Sequence, residues 1–182
     1  MMKTAALILV GLLGCGAARA AEPTFSPPEH DFSIGFAATP VAQSSFPHGK
    51  SDGGSRRYVA ELDGQVFALT VDQYPAHIRV PAPTKEVYQR LLWAHADATG
   101  FALVSERPSL LSNLPCWEGV YRTADGRIEV RRVLMQGDSI YQVSETLADG
   151  VKDAASGEPF FSSFRIIASS LTLSRNVVGP LI

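Results

Sequence analysis

The chain has 182 residues, 46% hydrophobic and 19% charged, which fits one globular domain with an adequate core and excludes wholesale disorder. Its 16 Lys and Arg against 18 Asp and Glu give a formal charge of −2, without the basic excess that nucleic-acid binding requires. With Cys15 and Cys116 as its only cysteines, it has no disulfide framework.

Residues 1–20 carry Lys3, then an apolar run from Ala5 to Gly14, then Ala18-Arg19-Ala20. That order of charged, apolar and small residues predicts a signal peptide cleaved after Ala20, and the run is too short for a permanent membrane anchor. Cleavage there removes Lys3, Cys15 and Arg19 and no acidic residue, taking the formal charge from −2 to −4. The alternative is a lipoprotein signal of residues 1–14. Leu12-Leu13-Gly14-Cys15 resembles a bacterial lipobox, in which Cys15 is lipidated and tethers the domain to a membrane. Both routes predict an exported protein, periplasmic or secreted in the first case and held in the cell envelope in the second.

Residues 21–30 are Pro-rich and read as an extended leader to a single domain at 31–166. Asp31 to Phe36 alternates like a half-buried strand. From Ala37 to Ser55 the composition shifts to Ser, Gly and Pro, predicting a mobile loop. Arg56 to Leu62 and Gln65 to Tyr74 flank Asp63-Gly64, a strong hairpin signal, with Phe67, Leu69 and Val71 on one face. Pro75 stops the second strand because it has no N–H to donate.

Thr84 is a predicted N-cap for a helix through Thr99 that ends at Gly100. Val87, Leu91, Ala94 and Ala98 form its predicted apolar stripe, with Glu86 and Arg90 paired on another face. Phe101 to Ser105 is a short apolar run, Arg107 to Pro115 a predicted loop, and Trp117 to Thr123 a strand. The strongest β signal follows: Gly126 to Met135 and Ser139 to Val143, reversed at Gln136-Gly137-Asp138. Leu147 to Glu158 is a polar link. Phe160, Phe161 and Phe164 then sit at helical spacing and predict a short helix pressed on the sheet. Residues 167–182 show no period and read as a loosely ordered tail. The fold class is therefore α+β: an antiparallel meander packed against one long helix and a short C-terminal one, both sealing the apolar side of the sheet.

Four pieces, in their order, resemble the PsbP-like and DcrB-like superfamily of small exported α+β domains. They are Phe32 to Phe36 followed by Pro40, the strand end Asp72-Gln73-Tyr74-Pro75, the Arg132-to-Val143 hairpin with Gly137 and Tyr141, and the closing Phe160-to-Ile166. The departure from the pattern is Asn113-Leu114-Pro115-Cys116-Trp117, in place of a Gly-rich approach to the strand. The resemblance implies a noncatalytic accessory or binding domain that engages another protein. It carries no catalytic residues onto this chain.

No residue set specifies a reaction or a cofactor. Gly49-Lys50-Ser51 imitates the end of a phosphate-binding loop, but Ser44 stands where that pattern needs glycine. Cys116 beside Trp117 reads as a buried structural cysteine without a base to make a thiolate. His30, His48, His77 and His95 are scattered, with His95 at a helix surface or boundary, and only His48 with Asp52 offers a weak catch for an ion. Glu118 and Glu129 are placed across neighbouring strands on a solvated face. The aromatics Trp93, Trp117, Tyr121 and Tyr141, with Tyr88, are large and amphipathic: they complete the core of a smallish domain or, where exposed, the first four make a candidate interaction surface or line a small apolar pocket. The sequence thus predicts a non-catalytic exported binding domain for another envelope protein or complex. The competing readings are a carrier of an apolar or lipid ligand, marked by a cavity under the long helix, and an enzyme with charged groups convergent near Cys116.

Overall fold

A computed structural model of the chain describes residues 24–28, 31–45, 53–75, 77–151 and 157–167. The signal region, Cys15, the His48–Asp52 loop and nearly all of the 167–182 tail lie outside the described residues.

The main sheet has seven antiparallel strands: β3 (Val41–Ser45), β4 (Gly54–Leu62), β5 (Gln65–Gln73), β6 (Ala102–Leu111), β7 (Leu114–Arg122), β8 (Ile128–Gln136) and β9 (Ser139–Thr146), in the spatial order β3-β4-β5-β9-β8-β7-β6. It is two meanders, β3 to β5 and β6 to β9, joined where β9 pairs with β5. The helix α1 (Lys85–Thr99) carries the chain from central β5 to the far edge at β6. The Asp63-Gly64 reversal is present, with φ of 51° and 77° at its two residues, and pairs Leu62 with Gln65. Gly137 turns β8 into β9 as the sequence predicts.

Two predicted loops contain strands. The stretch from Ala37 to Ser55 holds β3, an edge strand whose Val41, Ala42 and Gln43 are exposed. An edge strand that faces water needs no alternating apolar residues, so it leaves no period to read. The stretch from Arg107 to Pro115 is the end of β6 and the start of β7, reversed at Ser112-Asn113 with φ of 54° and 62°. Both prolines are tolerated for a topological reason: Pro108 lies on an edge strand, and Pro115 lies beyond the Trp117–Arg122 segment of β7 that pairs with β8.

Thr84 caps α1 by accepting from the Val87 N–H, and Gly100, at φ 70°, closes the other end by donating to the Ala96 carbonyl. The buried face of the helix is Tyr88 and Leu92, flanked by Val87, Leu91 and Ala96; Ala94 and Ala98 of the predicted stripe are exposed. The larger apolar side chains set the roll of the helix, and the small alanines follow. Gly119 permits its close approach, because a Cβ there would stand 2.9 Å from the Tyr121 ring and 3.1 Å from Leu92. Tyr121 then donates its hydroxyl to the Leu92 carbonyl at 3.0 Å.

The opposite face is covered by a three-stranded sheet, β1 (Thr24–Phe25), β2 (Phe32–Gly35) and β10 (Arg165–Ile166), together with α2 (Glu158–Ser163). Part of the predicted leader is thus a strand, whose Phe25 packs against Phe32, Phe36 and Tyr58. Phe160 meets Phe67 of β5, and Phe164 meets Tyr141 of β9, as the phenylalanine lid predicts. Burying each ring contributes about 1.5–3 kcal/mol. The two helices lie on opposite faces of the sheet rather than sharing one: α1 covers Val133 and Met135, and α2 with the small sheet covers Val130 and Leu134. In consequence β8 is buried on both sides, including its charged Glu129, Arg131 and Arg132.

Candidate functional site

On the α1 face the sheet is wider than the helix, and a cleft of about 460 Å³ opens between the C-terminal end of α1 and the uncovered strands. Cross-strand pairing sets Val66, Thr146 and Glu129 side by side along its floor. His95, Thr99 and Phe101 form one wall, the turn from Thr123 to Arg127 another, and Arg57 of β4 enters from the far side.

The floor carries a polar chain that runs across three strands to the helix. Asp72 accepts from Gln142 at 2.7 Å, Gln142 accepts from Arg131 at 3.1 Å, and Arg131 donates to Glu129 at 3.0 Å. His95 Nε2 lies 2.9 Å from the same Glu129 oxygen. The ring nitrogen is within ion-pair reach but makes no aligned hydrogen bond, so the contact is an ion pair only while the imidazole carries a proton. Burial pushes the Glu129 carboxyl up, but His95 and Arg131 outweigh that cost and hold it below the usual carboxylate range. At the rim, Asp125 is held down by the Thr123 hydroxyl and by Arg127, which donates to it at 2.8 Å.

A second charged cluster sits on the opposite face. Glu118 lies between Arg107 Nη2 at 2.7 Å and Arg132 Nε at 2.9 Å, and Arg132 also grips Glu158 of α2 at 2.6 and 3.2 Å. The Arg132 guanidinium lies 4.5 Å over the Phe161 ring, so this cluster fastens α2 to the sheet. Cys116 is beside it. Burial pushes its thiol up to about 12, more than Arg132 can offset, so it is no nucleophile at neutral pH.

No protein-family model matches the sequence, and neither does any curated protein. Among solved structures, the chain is similar to the solution structure of cyanobacterial PsbP (CyanoP) from Synechocystis sp. PCC 6803, with a TM-score of 0.54 and 15% identity over 86% of this chain and 100% of that one. The fold is PsbP-like.

The PsbP-like frame separates the residues that sequence reasoning groups together. Trp93 is on the outer side of α1 and 54% exposed, and Trp117 is half-buried, stacked on Tyr88 at 6.2 Å. Tyr121 and Tyr141 are core residues on opposite faces of the sheet, so the four do not make one surface. Glu118 and Glu129 also part company: they pair with Arg132 and Tyr121 across β7 and β8, point to opposite faces, and are buried rather than solvated. The residues missed are His95, Glu129, Arg131 and Arg57 acting together. Their signal was present in the Glu129-Val130-Arg131-Arg132 run, since charges inside the most β-rich hairpin require partners once that strand is central. Among the described residues, no group of His, Cys, Asp and Glu is placed to hold a metal ion, and no helix is long and apolar enough to cross a membrane.

Proposed function

We propose that this PsbP-like domain is a non-catalytic binding module of the cell envelope, exported by its N-terminal signal, and that it engages another envelope protein through the cleft at the end of α1. The carrying observation is that the buried charges of the cleft floor are already matched to one another. Glu129 is held by Arg131, with His95 beside it, and the Cys116 thiol is protonated and on the other face of the sheet. Such a site holds a shape and a charge pattern and has no free acid–base pair or nucleophile to offer. The carrier reading is disfavoured because Leu92, Tyr121 and Val133 fill the space beneath α1 with side chains that are fully buried. The PsbP-like fold fits an accessory role.

The test is site-specific photocrosslinking in cells producing the full chain. A photoreactive residue at Thr99 or Ala124, on the cleft rim, is expected to give one discrete adduct, and at Ser162 on the opposite face none. The same adducts from Ser162, or none from the cleft, count against the reading. Intact mass of the processed protein separates cleavage after Ala20 from a lipidated Cys15.

A further inference from the structure

We propose that the cleft recognises a side-chain carboxylate in an acidic, partly apolar peptide segment of its partner, and that Arg57 is the cation that receives it; this rests on the binding reading above.

Most charges of the cleft are already matched within the fold. Of the three arginines that line the cleft, Arg127 is bonded to Asp125 and Arg131 to Glu129. Arg57 is exposed and, among the described residues, has no carboxylate within ion-pair distance. The hydroxyls at the wall and floor are engaged as donors within the fold: Thr99 to the His95 carbonyl at 2.7 Å, Thr123 to Asp125, and Thr146 toward Glu129 at 3.5 Å. Among the described residues, the cleft arginine without a carboxylate partner is therefore Arg57, whose planar fork matches the two oxygens of a carboxylate; His95 Nε2, also without an aligned hydrogen bond, faces Glu129 instead.

The remaining lining fixes the kind of guest. Phe101 and Val66 present apolar surface in the same cleft, suited to an aliphatic side chain next to the carboxylate. Asp125 and Glu129 also line the cleft, as negative charges already paired. A single unmatched cation complements one carboxylate, whereas a run of phosphates would also meet the two acids. The volume of about 460 Å³ is in the range that holds a few residues of extended chain.

The test uses the purified protein, ¹⁵N-labelled, and two peptides, Ac-Gly-Leu-Glu-Leu-Gly-NH2 and its Gln counterpart. The Glu peptide is expected to shift the Arg57 side-chain N–H signal and the amides of Thr99, Phe101 and Thr123, with affinity falling about tenfold for the Gln peptide and about tenfold for R57Q, one charge-assisted contact being worth about 1.4 kcal/mol. R57Q should melt like the parent because Arg57 is exposed, and R90Q on the outside of α1 should bind like the parent. Equal affinity for the two peptides, shifts that map elsewhere, or an unaltered R57Q overturns the proposal. N-acetylglutamate as a third arm separates a free carboxylate from a peptide: binding as tight as that of the peptide overturns the peptide assignment. Photocrosslinks from Thr99 that persist in R57Q, with no Glu/Gln discrimination, sink the carboxylate inference and leave the binding reading standing. Discrimination without any cellular adduct does the reverse.

Discussion

His95 Nε2 on α1 stands 2.9 Å from Glu129 Oε1 on β8, tying the last turns of the helix to the middle of the sheet. The contact is shared with Arg131, so one carboxylate holds a cation of its own strand and a ring from the layer above. The wall of the cleft and its floor meet at this carboxylate, and the contact between them depends on the charge of Glu129.

That dependence has a sign. Glu129 has its carboxyl held below the ordinary range by His95 and Arg131, so it contributes stability above the unfolded-state value near 4.3, and loses it as pH falls through the lower folded value. E129Q should destabilise the protein at pH 7 by about 3 kcal/mol, since it leaves Arg131 buried without its counterion. The deficit should shrink below about pH 4, where the parent is losing the same charge. Urea denaturation at both pH values checks this; an equal deficit at the two would show that shape, not charge, is lost.

Glu145 behaves oppositely. It is 1% exposed, its Oε2 has no hydrogen-bond partner among the described residues, and burial raises its carboxyl from 4.5 to about 7. The folded state keeps a proton that the unfolded chain has already released, so the protein is most stable with respect to this group below pH 4.5 and loses that advantage as pH rises to about 7. The full difference is roughly 3 kcal/mol. E145Q, neutral throughout, should remove the decline between pH 5 and 8 and be the more stable form at pH 8. Thermal melts across that window test it, and an unchanged slope in E145Q refutes the assignment.

Gly157, at the start of α2, abuts this same carboxyl. A Cβ there would overlap Glu145 Oε2 and come within 3.0 Å of the Phe161 ring, although its φ of −80° suits any residue. Close approach, not backbone freedom, requires the glycine. G157A should therefore cost about 1–3 kcal/mol by overpacking. In an E145A background the same change should cost at least about 1 kcal/mol less, because the obstructing carboxyl is gone. A double-mutant cycle by chemical denaturation gives the coupling; additive effects would mean that Phe161 is the obstacle.

The elements legible in the sequence were those whose local chemistry and burial agree. The Thr84 cap, the Gly100 stop, the Asp63-Gly64 turn and the phenylalanine lid each carry their cause within a few residues. What escaped depended on partners far along the chain. β3 is defined by pairing with β4, and the opposite placement of α1 and α2 follows from β9 inserting beside β5, a contact between residues far apart in the chain such as Val66 and Thr146. The cleft was illegible for the same reason: Arg57, His95 and Glu129 come from three separate elements and share no spacing. Tyr121 and Tyr141 left core and interface open because an amphipathic ring looks the same in a sequence whether its hydroxyl meets water or, as at Tyr121, a helix carbonyl.

Cys116 supplies the last prediction. The thiol is buried, lies next to the Arg107–Glu118–Arg132–Glu158 cluster, and is pushed up to about 12 mainly by loss of solvation. Reaction with iodoacetamide requires both thiolate and access, and the folded protein provides neither at pH 8. Intact mass should show no alkylation of Cys116 in native buffer over an hour and full alkylation in concentrated urea. E158Q weakens the grip of Arg132 on α2, and Phe160 and Phe161 of that helix help to cover the face on which Cys116 lies. Slow native labelling in E158Q, absent from the parent, would trace exposure of the thiol to partial release of α2. Rapid labelling of the parent would instead mean that the thiol is reachable as the protein stands, and that the cluster beside it needs a chemical role.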